Sequence, residues 1–162
     1  MKKLVIMAAL ATLVSGVFAD TVNIAGTDVN YGKPSVGTRY SYNWNSDQQY
    51  LGLTVGTKFD KFGVEGSFDR STTGATNLNQ WGLIGSYDVV TYEKVTLAVK
   101  GGAAYQVPST TNNGWVGIVG LGVSYPIDKG VNLVADYSYQ SGSSAVAAFN
   151  GNVISAGVKF SF

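Results

Sequence analysis

The sequence predicts an all-β fold, an eight-stranded antiparallel up-and-down transmembrane β-barrel. Three observations carry this prediction. Side chains alternate between apolar and small or polar along eight runs of the chain. Charged residues make up only 13% of the 162 residues, well below the usual globular share. Aromatic residues collect near both ends of the runs and leave an aliphatic band between them, as at the two interfaces of a bilayer.

The chain opens with a segment typical of export. Residues 1–19 combine Lys2 and Lys3 with an apolar run that is short for a membrane-spanning helix, and V-F-A fits the small-x-small cleavage rule. We expect a cleaved signal peptide, 1–19, with the mature chain starting at Asp20; a retained anchor helix is the alternative. Because Cys is absent, a disulfide framework and a lipoprotein anchor are both excluded.

Residues 20–34 precede the alternating runs and have no clean alternation themselves. We interpret them as a periplasmic N-terminal leader. The alternative is a plug that folds under the barrel lumen or docks on a periplasmic partner.

The predicted barrel covers residues 35–162. Its eight strands are residues 35–44, 50–59, 62–69, 80–89, 95–106, 115–125, 131–140 and 152–162. The two-residue turn Asp60-Lys61 pairs Phe59 with Phe62, so both aromatic side chains should face the same way. Strands of about ten residues match the length that a tilted strand needs to cross the hydrocarbon core.

The face opposite the apolar side chains decides which side is the interior. It is dominated by Gly, Ser, Thr and Ala, with Val116 and Ile118 as exceptions. A soluble lipocalin-like binding barrel, the alternative fold, would carry abundant charge on its outer face. Small residues instead suit the inside of a narrow barrel, and the apolar band suits lipid outside.

Two aromatic girdles are predicted on the outward face. Their members are Tyr42, Trp44, Phe59, Phe62, Phe68, Trp81, Tyr87, Tyr105, Trp115, Tyr125, Tyr137 and Tyr139. The connections alternate between short ones, such as Asp60-Lys61, and longer polar ones at 71–78, 107–114 and 142–151. Short periplasmic turns and longer outer loops are the outer-membrane arrangement, so we expect both termini on the periplasmic side.

The tail SAGVKFSF carries the most specific likeness. Ser155, Gly157, Phe160 and Phe162 stand at the positions of a polar-x-Gly-x-x-apolar-x-aromatic assembly signal. The region 35–162 resembles the small eight-stranded outer-membrane barrels, such as the transmembrane domain of OmpA and the OmpX-like proteins. The resemblance implies a Gram-negative outer membrane, insertion by the barrel-assembly machinery, and contact with membrane lipids and lipopolysaccharide.

Charged residues on the inward face form the candidate site. Four cations and four carboxylates are predicted there, and because the signs balance we expect internal salt bridges between strands. They are Arg39, Lys58, Glu65, Asp69, Asp88, Lys100, Asp136 and Lys159. One reading is a packed polar plug, which favours a structural or interaction role. The other is a narrow pore for protons or small ions, since inward glycines could leave water-filled pockets.

The sequence argues against catalysis and cofactors. It has no His and no Cys, so we expect no enzyme activity, no cofactor and no metal site. The long loops contain no Lys or Arg, which argues against nucleic acid as a partner. A protein partner at these loops or at the leader stays open. The apolar stretch 145–149 is either the upper end of two strands or such a contact.

Overall fold

The structure, a computed structural model, describes residues 21–24, 27–30, 32–73 and 76–162. Two short strands, β1 (Thr21–Ile24) and β2 (Thr27–Asn30), pair with each other. Eight further strands form a closed barrel in which chain neighbours pair antiparallel and the last pairs with the first. They are β3 (Lys33–Asn43), β4 (Gln48–Phe59), β5 (Phe62–Ser71), β6 (Leu78–Tyr92), β7 (Val95–Pro108), β8 (Gly114–Asp128), β9 (Val131–Gly142) and β10 (Gly151–Ser161). The predicted eight-stranded up-and-down barrel is confirmed.

One end of the barrel, the turn end, carries only two-residue connections. They are Asp60-Lys61, Glu93-Lys94 and Lys129-Gly130. Asp60, Glu93 and Gly130 have positive φ angles, which tight hairpin turns require. Phe59 and Phe62 are register partners and both are exposed, as the sequence predicts.

The other end, the loop end, carries connections of four to eight residues, at 44–47, 72–77, 109–113 and 143–150. The last of them contains a short 3₁₀ helix, Ser144–Phe149. Within the described part of the chain, no helix has the length and hydropathy needed to cross a membrane.

The barrel closes with a stagger of ten residues. Register partners lead from Lys33 round all eight strands and return to β3 at Asn43, ten positions further along. The partners on the way are Lys58, Gly63, Ser86, Lys100, Gly120, Ser138 and Val153. Closure of this kind tilts the strands by roughly 35–45° and leaves an interior that side chains fill.

Burial alternates along the strands and places the apolar side chains outside. On β8, Trp115, Val119 and Leu121 are exposed, whereas the intervening Val116 and Ile118 are buried. Polar side chains are buried inside, among them Gln80, Gln106 and Asp69. A soluble barrel has the opposite arrangement, so the lipocalin-like alternative does not fit this surface.

The two ends of the barrel sequence meet at one seam. Strand β10 pairs with β3, from Val153 opposite Asn43 to Ser161 opposite Ser35. The backbone N–H of Phe162 donates to the carbonyl of Pro34 at 3.0 Å. The barrel therefore begins at Lys33, two residues before the predicted start, and part of the predicted leader forms the β1–β2 hairpin. The predicted signal peptide lies outside the described residues.

Candidate functional site

The eight charged residues predicted for the lumen lie inside the barrel and form five ion pairs. The pairs are Arg39–Asp69, Arg39–Glu65, Lys159–Glu65, Lys100–Asp136 and Lys58–Asp88. We call these eight residues the ionic layer. Charge balance across them removes the cost of an unpaired charge in a narrow interior.

Arg39 is the centre of the ionic layer. Its Nε and Nη2 donate to the two carboxylate oxygens of Asp69, at 2.8 and 2.6 Å, and Nη2 also donates to Ser67 Oγ at 3.1 Å. Glu65 lies 3.9 Å from Nη1. The two side chains of the Arg39–Asp69 pair are only 12% and 4% exposed, so this bidentate pair is shielded from water.

The remaining pairs lie on both sides of Arg39. Lys159 on β10 donates to Glu65 on β5, which is already near Arg39. The Lys100 ammonium lies 2.6 Å from Asp136 Oδ1 as an ion pair rather than an aligned hydrogen bond.

The Lys58–Asp88 pair is different, because the Lys58 side chain is 45% exposed at the turn end. Water therefore enters the lumen from the turn end as far as this pair.

Glycines on intervening strands make room for the ion pairs. Gly52 on β4 is the register partner of both Arg39 and Asp69, and a Cβ there would collide with the Asp69 carboxylate. Gly122 on β8 lies under the Lys100–Asp136 pair in the same way. These inward glycines let a side chain pass over the neighbouring strand, and the water-filled pockets considered from the sequence are accordingly small.

On the loop-end side of the ionic layer, three glutamines form an amide layer that was not predicted from the sequence. Gln106 Nε2 donates to Gln80 Oε1 at 2.8 Å and lies 3.4 Å from Gln140 Oε1. All three side chains are buried. Uncharged glutamines on three separate strands form no distinctive sequence motif. The available signal was that all three occupy inward-facing positions in the alternating pattern of their strands.

An apolar cluster closes the loop end of the lumen. Val146 and Phe149 of the 3₁₀ helix turn inward and are buried with Leu78, Val116 and Tyr50. We call these five residues the apolar cap. The predicted extension of two strands is therefore wrong, because 145–149 belongs to a 3₁₀ helix. Phe149 is buried and is not an exposed contact residue, whereas contact of a protein partner with the exposed Ala147 and Ala148 stays a prediction. Val116, which breaks the polar pattern of the inward face, belongs to this cap and packs in the same cluster as Val146 and Phe149.

Asparagine side chains hold the loop 143–150, which we call the capping loop, and the neighbouring loop 44–47 in place. Asn43 Nδ2 donates to the Phe149 carbonyl at 2.8 Å. Asn45 Oδ1 accepts from the Asn152 N–H at 3.0 Å, and Asn150 Oδ1 accepts from the Gly142 N–H at 2.8 Å. The capping loop is therefore anchored to β3 and β9, and the 44–47 loop is anchored to β10.

The free space in the lumen is small. One cavity of about 30 Å³ lies between the apolar cap and the ionic layer, lined by Arg39, Asp69, Gln80 and Gln140 among others. A second, of about 10 Å³, lies on the turn-end side of Arg39. These volumes hold about one or two water molecules each.

The chemistry of the lumen is that of paired charges. In the described residues no group of three or more His, Cys, Asp or Glu side chains is placed to hold a metal ion. The predicted carboxylates and cations are engaged with one another, so none is presented alone towards a cavity.

The predicted girdle residues all lie on the outward face. At the loop end, Phe68, Trp81, Tyr105 and Trp115 are successive register partners across four strands. The Phe68 and Trp81 ring centroids are 4.4 Å apart and those of Tyr105 and Trp115 are 5.2 Å apart. At the turn end Phe59, Phe62, Tyr87 and Tyr125 are exposed. Tyr40 and Tyr92 are exposed aromatics that the predicted girdles did not include.

The tail residues of the predicted assembly signal divide between the two faces of β10. Ser155 is buried inside the lumen, and Gly157 faces inward where a Cβ would collide with β3. Phe160 and Phe162 are exposed on the outward face at the turn end.

Comparison with solved structures places this architecture among small outer-membrane barrels. The chain is similar to Neisserial surface protein A, with 16% identity and a TM-score of 0.58, over 80% of this chain and 95% of that one. The Yersinia pestis outer membrane protein Ail, solved in a phospholipid bilayer nanodisc, is 15% identical with a TM-score of 0.53, over 81% of this chain and 99% of Ail. The outer membrane enzyme PagL is 10% identical to the chain, with a TM-score of 0.52, over 79% of this chain and 98% of PagL. No family model and no curated protein matches the chain.

These similarities concern the fold. The eight-stranded barrel of this chain is similar in fold to those proteins, and one of them, PagL, is an enzyme. Activity on this fold therefore depends on the residues that each chain places on it. In this chain those residues are the ionic layer, the amide layer, the apolar cap and the outward girdles.

Proposed function

We propose that the chain is an integral barrel protein of a Gram-negative outer membrane whose lumen is closed and whose role is structural or interactive. The observation that carries the proposal is the inversion of its surface. Large apolar side chains face outward between two aromatic girdles, while paired charges fill the interior. Water is a poor solvent for such a surface and a bilayer is a good one.

A closed lumen supports a structural role over the narrow pore. An ion entering from the turn end meets the ionic layer, then the amide layer, and finally the fully buried side chains of Leu78, Val116 and Val146. Apolar constrictions of this kind block ions by excluding water. The two cavities described above, of about 30 and 10 Å³, have room for only a few water molecules.

The loops support contact at the membrane surface rather than far beyond it. They have at most eight residues, and their side chains bond to one another, as Thr76 Oγ1 does to Thr110 Oγ1 at 2.9 Å. Membrane lipids and lipopolysaccharide are the surroundings that we propose, with both termini periplasmic. A protein partner at the loops would have to recognise compact, nearly uncharged surfaces, and the N-terminal hairpin is the other place at which we propose such a partner.

We propose that the barrel-assembly machinery inserts the chain and reads Phe162 as part of the tail signal. Deleting Phe162 should lower the yield in the outer membrane, whereas Phe162→Tyr, which keeps the aromatic ring, should preserve it. Equal yields for the deletion and the wild type would mean that the tail serves only as a strand.

Two measurements test the proposed function. Chain refolded into lipid vesicles should migrate differently on a detergent gel before and after boiling, because a membrane barrel stays folded in detergent until heated. Identical migration would contradict the membrane barrel.

Planar-bilayer recordings test the closed lumen. Neither the wild type nor Lys100→Ala should show long-lived discrete openings. Such openings in the wild type would contradict a closed lumen and would indicate a pore.

A further inference from the structure

The outward apolar surface reaches further at the turn end on one side of the barrel than on the other. On the β4–β5 hairpin, the exposed Phe59 and Phe62 are followed at once by the charged turn Asp60-Lys61. On the β6–β7 hairpin the chain continues for five residues past Tyr87, the register partner of Phe62, before its turn begins. The stagger of the barrel, ten residues over eight strands, accounts for about one residue per strand and so for only part of this extension.

The apolar residues of this extension, together with Val95 of β7 and Ile127 of β8, form an exposed apolar surface, which we call the turn-end patch. Its members are Val89, Val90, Tyr92, Val95 and Ile127. Tyr92 is 75% exposed, and each of the others is more than two-fifths exposed. Water contact over such a continuous apolar surface is unfavourable, so the patch calls for a partner.

Two β-bulges contribute to the patch. The register shifts between Asp88 and Val90 in β6, and again between Pro126 and Asp128 in β8. Each bulge adds one residue to its strand, and the added residues, Val89 and Ile127, are both exposed and apolar. A bulge that exposed Ser or Lys there would serve closure of the strand equally well.

The turn-end patch continues the outward face of the barrel. Val90 is the register partner of Leu97, which in turn is the partner of Val123 in the outward band. On the opposite face of the same hairpin the hydroxyl groups of Thr91 and Thr96 bond at 3.0 Å. The patch therefore extends the lipid-facing side of the barrel and not its lumen.

Charged residues mark where the apolar surface stops. Glu93 and Lys94 form the tip of the β6–β7 hairpin, and Asp128 and Lys129 lie at the tip of the β8–β9 hairpin. An apolar band that ends in an aromatic residue and then in charges is the profile of a membrane interface.

We propose that the turn-end patch inserts into the lipid interface of the bilayer leaflet at the turn end, so that the barrel sits with its β6–β8 side deeper than its β4–β5 side. The inference rests on the proposed membrane location. The occupant is lipid because the patch is exposed and is continuous with the outward band. Tyr92, with an apolar ring and a polar hydroxyl, is suited to the headgroup level.

Single-cysteine labelling tests the depth of the patch, since the chain has no Cys of its own. Tyr92→Cys, Lys61→Cys and Leu121→Cys are labelled with the environment-sensitive dye NBD and reconstituted in phosphatidylcholine vesicles. The NBD label at residue 92 should emit at a shorter wavelength than the label at residue 61. It should also be quenched by lipids that carry a doxyl group near the headgroup. Iodide in the buffer should quench the label at 61 more strongly. Ile127→Cys provides a second position in the patch.

The controls separate the possible failures. If the labels at 92 and 127 behave like the label at 61 while that at 121 lies in lipid, the inference about the patch is wrong and the membrane location stands. A label at 121 that is also exposed to iodide would contradict the membrane location itself. Exposure at 92 in pure lipid vesicles combined with protection in native outer membranes would assign the patch to a protein and overturn lipid as its occupant.

Discussion

At the loop end of the lumen, Leu78, Val116 and Phe149 pack against one another out of contact with water, whereas at the turn end Lys58 and Asp88 form an ion pair that still reaches solvent. The apolar cap and the ionic layer fill the same barrel, but different forces hold them. Burial stabilises the cap in proportion to the apolar area that is removed from water. The ionic layer depends on each charge finding a specific partner.

The difference shows what each region contributes. A buried ion pair adds little net stability over well-packed apolar side chains, yet losing one partner is costly because the other charge stays buried. We therefore expect the ionic layer to contribute more to the specificity of strand arrangement across the lumen than to net stability. The apolar cap, in contrast, fixes a loop and excludes water from the loop end.

The largest effect is expected from Asp69→Asn. It leaves the Arg39 guanidinium without its bidentate partner, and removing one member of a buried pair costs about 3 to 5 kcal/mol. Urea unfolding in lipid vesicles, followed by tryptophan fluorescence, measures the change in the free energy of unfolding. A loss below about 1 kcal/mol, the range of exposed pairs, would show that Glu65 or water replaces Asp69 without cost.

The next effect is expected from Phe149→Ala in the apolar cap. Truncating a buried Phe side chain costs about 3 kcal/mol through lost burial and the cavity that remains. Ala148→Ser, at an exposed position of the same 3₁₀ helix, is the matched control and should leave the unfolding free energy unchanged. Equal stability of the two variants would contradict the packing of the cap.

A smaller effect is expected from Gly52→Ala, which tests the space under the Arg39–Asp69 pair. The added methyl displaces the Asp69 carboxylate, and overpacking of this kind costs about 1 to 3 kcal/mol. Gly66→Ala on the outward face is the control, since its nearest neighbour, the Val55 carbonyl oxygen, is 3.7 Å from the new Cβ. If both variants unfold at the same urea concentration as the wild type, the glycine is not required by the ion pair.

The smallest effect is expected from Asp88→Asn. The pair with Lys58 is partly exposed, and solvent screening reduces such pairs to about 0 to 1 kcal/mol. Added salt should shrink the difference from the wild type further, because screened charges interact less. A loss as large as that of Asp69→Asn would place the Lys58–Asp88 pair in the sealed part of the lumen.

The alternation of side chains along each strand is enough to predict which residues belong to the ionic layer and to the girdles. A strand turns alternate side chains to opposite faces, so once the apolar face is outside, Arg39, Glu65 and Lys100 must lie inside. Their partners follow in part from charge balance. The match of Arg39 with Asp69 depends on the register between strands, which local alternation does not contain.

The apolar cap lies beyond what alternation can predict. Val146 and Phe149 belong to a loop without strand periodicity, so their direction is set by packing against Leu78 and Val116. Asn43 and Phe149 are 106 residues apart, and nothing near either in the chain indicates the bond between them. The exceptional inward Val116 was the available signal, because an apolar side chain inside a polar lumen requires an apolar partner.

The seam between β3 and β10 has a kinetic consequence. Its register partners, such as Val36 and Phe160, are more than a hundred residues apart in the chain, so closure has the largest loop entropy of any strand pairing in the barrel. Contacts of such long range form slowly. Until β10 is available, the edge of β3 has no partner on one side and is exposed to incorrect pairing. We therefore expect pairing of β10 to be the slow step of assembly, and a chaperone that covers the edge of β3 to protect it from incorrect pairing until then.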